Sequence, residues 1–591
     1  MDTELPRIEA PLATVVSWLN ENGSDIPFSW VPGANKAQLG RLGALGGLVR
    51  ALLSRLGPDS YLEDPSTHPD IRKWLEDGAS PPPFVIDAAV EVIATEDSGL
   101  ASLYTSAVSA VSRRTLGTFF TPRQEAEWMV RRWGETHPDP ATIIDVGAGV
   151  GAFTFVAARQ WPSASLKAID VNPVTLGLLA LGISETRSSD RRIDGSRVEL
   201  VLEDYVAWVG RELGSTSPSR LILGNPPYTR LQLLPISERR RLVDAAGGLC
   251  GSRASLSALM TAASIRAMGA QDGLCLLLPA HWLEADYASG LRKWLWGQVG
   301  RRVEVHLFEA ELFADAQVDA VALIIGPEQN DTQPFVVSGS EGGAARPDEF
   351  MVATKERFFE TPRLWRSMFT RGPENPRSEV PTVSLKQFAR VRRGVATGAN
   401  SFFVISGQVA KELELSGEFL VPIVRRLRDQ VTNTVSAKDL LKLPLSKRSY
   451  MFLVESSRTL PDSIANYIAS GERAGYQSGL LCQRREFWFD LSREVVIPDV
   501  IVGPAHKSHF RFIENEAMAA ITNNLYGLTW LPTTTEGERA KILAWLRSNA
   551  GQAELLRASR TQGGGLKKVE PRALQELRMP RSLSGSERPP N

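Results

Sequence analysis

Thr142-Ile-Ile-Asp-Val-Gly-Ala-Gly-Val-Gly-Ala-Phe153 is the stretch whose reading decides the fold. Ile143, Ile144 and Val146 form a short apolar run of strand character. Glycines follow at 147, 149 and 151, and an apolar helical run then continues from Phe153 to Ala158. Glycine admits positive φ and lets a ligand approach the backbone closely, while a helix N-terminus offers free N–H groups. The spacing is not the dinucleotide fingerprint, because the third glycine comes one residue early. Working outward, Leu166-Lys-Ala-Ile169 reads as a second strand ending at Asp170, and Val198-Glu-Leu-Val-Leu202 as a third ending near Asp204-Tyr205. A carboxylate at Asp170 can accept both hydroxyls of a ribose. Asp204 can take an adenine amino group, with Tyr205 on the ring face. Three strands with glycine-rich or acidic tips predict an α/β fold with a nucleoside pocket at the carboxyl edge of its sheet, where open sheets bind their ligands.

A fourth apolar run, Arg220-Leu-Ile-Leu-Gly224, leads into Asn225-Pro226-Pro227-Tyr228. Neither proline can donate to a sheet ladder, so the strand must end there. The turn presents an amide side chain, a proline carbonyl and an aromatic ring at the same sheet edge. A carboxamide oxygen and a backbone carbonyl can accept both hydrogens of a flat, conjugated –NH2, and the ring can stack on the group that carries it.

Gly117-Thr-Phe-Phe-Thr-Pro122, the glycine loop from Asp145 to Phe153, Asp170, Asp204-Tyr205 and Asn225 to Tyr228, in this order, resemble the motifs of the gamma-class (TaqI-type) S-adenosylmethionine-dependent DNA adenine methyltransferases of restriction–modification systems. The resemblance continues through Leu276-Leu-Leu-Pro-Ala-His-Trp-Leu283, Glu311-Leu-Phe313 and Asp319 to Gly326. It reaches Arg392-Arg-Gly-Val-Ala-Thr-Gly-Ala-Asn-Ser-Phe-Phe403, which is similar to the start of that family's DNA-recognition domain. It implies S-adenosylmethionine as cofactor, with Thr121, Gly147, Gly149 and Gly151 around the methionine moiety. Asp145 would lie near the amino group, Asp170 at the ribose, and Asp204 with Tyr205 at the adenine. It implies catalysis by Asn225, Pro226, Pro227 and Tyr228 on a flipped-out adenine, with Phe313 as a second aromatic. Cytosine-N4 methylation is the nearest alternative. Protein glutamine and rRNA guanine methyltransferases share related motifs, and a DNA-binding regulator with a degenerate methyltransferase fold is a non-enzymatic one. The resemblance also implies double-stranded DNA as substrate, a protective role in a restriction–modification or phage-defence system, and a cognate restriction endonuclease on a separate chain. Residues after Tyr228, from Thr229 through the 237–258 loop, follow no assignable pattern.

The 591 residues are too many for one ordinary domain, and 43% hydrophobic content can fill real cores. The N-terminus has neither a basic nor an apolar leader-like stretch. Cys250, Cys275 and Cys482 are too widely spaced for a disulfide framework or a zinc site, and the six histidines are scattered. We expect no metal, no membrane span, a monomer and a cytoplasmic location.

Zero net charge hides an asymmetry. Residues 376–591 carry 31 Lys+Arg against 21 Asp+Glu, a net of +10, and the remainder is −10. A basic C-terminal part is the electrostatic footprint of a polyanion partner. Arginine reads guanine bidentately and grips phosphate. The arginine clusters make Arg392, Arg393, Arg425, Arg426, Arg428, Arg484 and Arg485 candidate DNA contacts, and the resemblance of the 392–403 stretch to a recognition domain adds Thr397 and Asn400. The chain divides on this reading into an N-terminal helical accessory region (1–110), a Rossmann-like catalytic domain (111–327) and an excursion and linker (328–380). A mixed α+β recognition domain (381–580), helical over 537–556, and a disordered tail (581–591) follow.

Overall fold

The computed structural model describes residues 5–31, 34–56, 67–94, 99–110, 112–113, 120–187, 193–213, 219–229, 231, 234–308, 319–339, 349–353, 365, 382–427, 432–456, 459–506, 508–562 and 566–584. They form two compact units, Met1–Thr370 and Arg371–Asn591.

The first unit is built on a nine-stranded sheet in the order β3-β2-β1-β4-β5-β7-β6-β8-β9. Its strands are β1 (Thr142–Val146), β2 (Ser165–Asp170), β3 (Val198–Leu202), β4 (Arg220–Gly224), β5 (Gly273–Pro279), β6 (Arg301–Phe308), β7 (Ala320–Glu328), β8 (Phe335–Gly339) and β9 (Glu349–Ala353). β1 pairs in parallel with both β2 and β4, so the strand order reverses between β1 and β4. β7 runs antiparallel between β5 and β6. Both faces are covered, which explains why these strands read as continuous apolar runs rather than alternating ones. Ile143, Leu221, Leu223, Cys275 and Ile324 point into one core. Their neighbours Ile144, Ile222, Leu274, Leu276 and Leu323 point into the other.

The N-terminal helices belong to the first of these cores. α1 (Leu5–Glu21), α2 (Lys36–Leu56), α3 (Pro69–Asp77), α4 (Pro83–Ile93) and α5 (Gly99–Ala107) share it with α6 (Arg123–Thr136), α7 (Ala152–Gln160), α8 (Pro173–Arg187) and the sheet. Trp74 of α3 is fully buried and donates from Nε1 to the Leu42 carbonyl at 2.8 Å. Its ring lies so close to α8 that a Cβ on Gly177 would sit 2.2 Å from Cζ3. The accessory region expected over 1–110 is thus packed into the first unit's core rather than set apart from it. The sheet also runs past 327, because β8 pairs with β6 and β9 with β8 inside the stretch read as a linker. The opposite face carries α9 (Tyr205–Glu212), α10 (Ile236–Ala246), α11 (Leu256–Ala267) and α12 (Ser289–Gly297).

The second unit holds a five-stranded sheet of Ala389–Arg393, Tyr526–Trp530, Val500–Gly503, Arg511–Asn515 and Thr434–Val435, in that spatial order. A four-stranded sheet of Val404–Ser406, Ser449–Phe452, Leu420–Val424 and Ala520–Ile521 accompanies it. The helix expected over 537–556 is two helices, Glu536–Arg547 and Asn549–Ala558. Ser548 separates them by capping the second through its hydroxyl on Gly551 N, 3.2 Å away. The helix Asp462–Arg473 escaped the sequence reading.

Candidate active site

The strand tips meet where the sheet order reverses. After β1 the chain turns through Gly147, Gly149 and Gly151, all at positive φ. Gly147 and Ala148 donate their N–H groups to the Ile169 carbonyl at 2.9 and 3.1 Å, which ties the loop to the end of β2. Gly151 caps α7, and a Cβ there would lie 2.4 Å from Leu179 Cδ1, so this position admits no side chain without repacking α8.

Asp145 is 1% exposed and accepts from Thr154 Oγ1 at 2.5 Å. Burial pushes its carboxyl up to about 7; the Thr154 bonds oppose this, and the nearby Asp170 charge adds to it. Asp170, at the end of β2, accepts from Gly149 N through Oδ2 at 2.8 Å and from Asn172 N through Oδ1 at 2.9 Å. Burial raises its pKa against these backbone donors. Beside it Val171 is 64% exposed, an apolar side chain at the rim. Sequence reasoning passed over it, although a β-branched residue directly after Asp170 was the available signal.

Asn172 Nδ2 also donates to the Tyr104 hydroxyl of α5 at 3.2 Å. The Tyr104 ring stands edge-on to Phe120 with centroids 5.5 Å apart. Phe120 in turn lies 3.8 Å from where a Cβ on Gly149 would be. Tyr104 carries no motif and was not among the expected site residues.

Asn225 follows β4 and donates from Nδ2 to Thr121 Oγ1 at 3.0 Å. Thr121 is buried. This bond joins the Gly-Thr-Phe-Phe-Thr-Pro motif to the Asn-Pro-Pro-Tyr turn, 104 residues apart. The turn packs on the glycine loop: a Cβ on Gly147 would sit 3.6 Å from both the Asn225 carbonyl oxygen and Pro227 Cδ, and 3.8 Å from Pro226 Cα. Tyr228 is half-buried, its hydroxyl 3.5 Å from the Leu277 carbonyl, and burial raises its pKa. Asn225, Pro226, Pro227, Thr121, Asp145, Asp170 and the three glycines are thereby brought to one edge of one sheet. Phe313 lies outside the described residues.

Two expected cofactor residues sit differently. Tyr205 is 3% exposed, its hydroxyl 2.7 Å from Ser264 Oγ, so its ring belongs to the core beneath the β3 tip and not to a nucleoside face. Asp204 caps α9 by accepting from Ala207 N at 2.8 Å and pairs with Arg241 at 2.9 Å. Among the described residues, no group of three His, Cys, Asp or Glu is placed to hold a metal, and no helix is long and apolar enough to cross a membrane.

In the second unit the expected DNA contacts separate into exposed and internal ones. Arg392, Asn400, Arg425, Arg426 and Arg484 are exposed. Arg485 is not: its side chain is 7% exposed, donates to the Thr397 carbonyl at 2.8 Å and the Ala396 carbonyl at 3.2 Å, and pairs with Glu494 at 2.5 Å. Thr397 is 1% exposed and donates to Asn400 Oδ1 at 2.8 Å. Both are reassigned to the interior, where they shape the turn before Asn400. Arg393 pairs with Glu570 at 2.6 Å and lies over the Tyr526 ring. Arg428 lies outside the described residues.

Residues 374–589 match the family model described as Type II methyltransferase M.Eco57I, C-terminal domain. The chain is 23% identical to the Type II methyltransferase M.AccI of Acinetobacter calcoaceticus over 493 residues, covering 80% of this chain and 87% of the relative. It is 24% identical to the Type II methyltransferase M.XamI of Xanthomonas campestris pv. amaranthicola over 483 residues, covering 78% and 85%. Among solved structures, the Type IIL restriction-modification enzyme MmeI in complex with DNA shares the fold with a TM-score of 0.55 at 12% identity, over 96% of this chain and 83% of that one. The chain is therefore similar along most of its length to type II methyltransferases.

Proposed function

We propose that this chain transfers a methyl group from S-adenosylmethionine to the N6 amino group of an adenine flipped out of a specific DNA site, as the modification activity of a restriction–modification or related defence system. The observation that carries the proposal is the Thr121–Asn225 hydrogen bond beside the glycine loop, at the point where the strand order reverses. It sets a carboxamide at the carboxyl edge next to a glycine loop whose backbone a ligand can approach closely.

The residues present fit the cofactor. Gly147 and Gly149 carry no side chain of their own and adopt positive φ, Asp170 offers a carboxylate at the β2 tip, and Val171 offers an apolar face beside it. Asp145 is the carboxylate for the cofactor's amino group. When bound, S-adenosylmethionine supplies an electrophilic methyl carbon on a sulfonium centre.

Adenine's amino nitrogen is a weak nucleophile because its lone pair is delocalised into the ring. The Asn225 oxygen and the Pro226 carbonyl accept its two hydrogens, hold the nitrogen in place and favour its pyramidalisation. With the amide nitrogen anchored on Thr121, the Asn225 oxygen is the end of the group that serves the amine. No strong base is required, since the product amine releases its extra proton afterwards. Tyr228 stacks on the base. Flipping costs a few kcal/mol, and stacking on an aromatic ring returns roughly 1–3 kcal/mol. Adenine is preferred over cytosine because the resemblance associates asparagine at the first position of this turn with adenine.

The test is nucleoside analysis of DNA from cells expressing the chain, alongside Asn225→Ala. N6-methyladenine should appear with the wild type and be largely lost with the variant, while affinity for S-adenosylmethionine stays near wild type. N4-methylcytosine in its place would overturn the choice of base. Normal methylation by the variant would overturn the amine clamp.

A further inference from the structure

The second unit contains a small cleft, about 70 Å³, lined by Asn400, Val404, Arg425, Arg426, Thr522, Asn523 and Asn524. The backbone explains how it is assembled. Val395 bridges to Thr522, Asn523 N donates to the Val395 carbonyl at 3.1 Å, and Gly394 N donates to the Leu525 carbonyl at 3.0 Å. A Cβ on Gly394 would stand 2.3 Å from the Thr522 carbonyl oxygen, so glycine is required for this approach. The Arg-Arg-Gly-Val-Ala-Thr-Gly-Ala-Asn segment is therefore a brace that brings Asn400 to the 522–524 turn.

Asn400 accepts from Thr397 and Thr522 donates to the Arg425 carbonyl, but the four other polar side chains around the cleft are uncommitted. Arg425, Arg426, Asn523 and Asn524 are exposed, and among the described residues none of them makes a side-chain hydrogen bond or ion pair. Turn chemistry does not account for the paired asparagines, because neither adopts positive φ. Asparagine otherwise serves turns mainly by tolerating that conformation or by bonding its own backbone. What remains is their hydrogen-bonding character. A site for phosphate alone needs donors only, whereas a carboxamide offers a donor and an acceptor side by side. That pairing matches the N6 and N7 edge of adenine, as a guanidinium matches O6 and N7 of guanine.

We propose that this cleft reads purine edges of the DNA site, with Asn523 and Asn524 selecting adenine and Arg425 or Arg426 selecting guanine. The inference rests on the chain being a site-specific DNA methyltransferase, and adds which residues set the sequence read. Asn523 and Asn524 were absent from the expected contacts because they lie neither in an arginine cluster nor in the stretch from Arg392 to Phe403 that carries the resemblance.

The experiment expresses the full-length wild type and Asn523→Ala, Asn524→Ala, Arg425→Ala and Arg426→Ala in cells, then maps methylated positions by long-read sequencing. Wild type should modify one sequence. At least one asparagine variant should lose discrimination at an adenine position by about tenfold or more, and at least one arginine variant at a guanine position. Asn523→Gln and Asn524→Gln, which keep the carboxamide, and a circular-dichroism check on each protein guard against misfolding. An unchanged motif for all folded variants would overturn the proposal. In that outcome, a uniform loss of affinity with a shallower salt dependence for the arginine variants would assign the cleft to phosphate. A wild type that binds DNA yet methylates none would instead strike the reading of the catalytic unit, and with it this extension.

Discussion

Thr121→Val separates the orienting of Asn225 from everything else at the sheet edge. Valine keeps the branched shape of threonine but removes the oxygen that accepts from Asn225 Nδ2 at 3.0 Å. Thr121 is 8% exposed, so water reaches this spot poorly. A buried donor left without its acceptor costs about 1–3 kcal/mol. If that penalty falls on the orientation in which the Asn225 oxygen faces the amine, the barrier rises by the same amount. At 1.36 kcal/mol per factor of ten, the rate drops about 5- to 150-fold. The assay is single-turnover transfer of a labelled methyl group to a saturating DNA duplex, with S-adenosylmethionine affinity measured by calorimetry. The expected result is a slower methyl-transfer step, cofactor affinity within about threefold of wild type, and restoration by Thr121→Ser. A valine variant within twofold of the wild-type rate would refute the orienting role. A large loss of cofactor affinity with an intact rate at saturation would move Thr121 to the methionine moiety instead.

Asp170→Ala removes the acceptor of the Gly149 and Asn172 amides as well as the carboxylate proposed for the ribose, and should weaken S-adenosylmethionine binding at least about tenfold by calorimetry. Tyr104→Phe deletes only the hydroxyl that accepts from Asn172, and should weaken the same binding by a few-fold without altering the secondary structure seen by circular dichroism. Asp145 titrates near 7 when folded, above the ordinary value near 4, so the cofactor-free protein binds one more proton than its unfolded chain between these values. Its contribution is present below about pH 4 and is lost as the pH rises towards 7, so denaturant midpoints should fall over this range for wild type relative to Asp145→Asn. Because a cationic amino group favours the ionised carboxylate, S-adenosylmethionine binding at pH 6 should release a proton from Asp145, and calorimetry in buffers of different ionisation enthalpy should lose that release in Asp145→Asn.

What could be read in the sequence was what the chain specifies locally. The tips of β1, β2 and β4 carry short apolar runs followed at once by glycine, acid or proline, and the structure gathers those tips at the reversal of strand order. What could not be read depended on partners remote in sequence. Arg484 and Arg485 are indistinguishable as a dipeptide, yet Glu494 and the carbonyls of Ala396 and Thr397 take the second out of play. Asp204 looked like an open acceptor until Arg241, from a stretch without a legible pattern, was found against it. Tyr205 had the right position for stacking, but Ser264 of α11 holds its hydroxyl and fixes it in the core. Beyond 327 the glycine- and serine-rich composition concealed β8 and β9, which add to a sheet already formed and need little helical or alternating signal of their own.

The N-terminal helices change how the site is understood. Asp170 is positioned by backbone donors on two sides, Gly149 from the loop after β1 and Asn172 from the turn into α8. Asn172 is itself held by Tyr104 from α5, and the Tyr104 ring rests on Phe120, the residue before Thr121. One tyrosine therefore touches both arms, the turn after Asp170 through a hydrogen bond to Asn172 and the threonine arm through an aromatic contact with Phe120. Trp74, wedged between α2 and α8, fixes the helix that starts beyond that same tip. The N-terminal helices thus touch both the Asp170 tip and the arm that carries Thr121, and on the proposed function they set the spacing between the ribose carboxylate and the threonine that orients the amide. Through Trp74 and Tyr104, the helices α1 to α5 brace this edge of the sheet rather than standing apart from it.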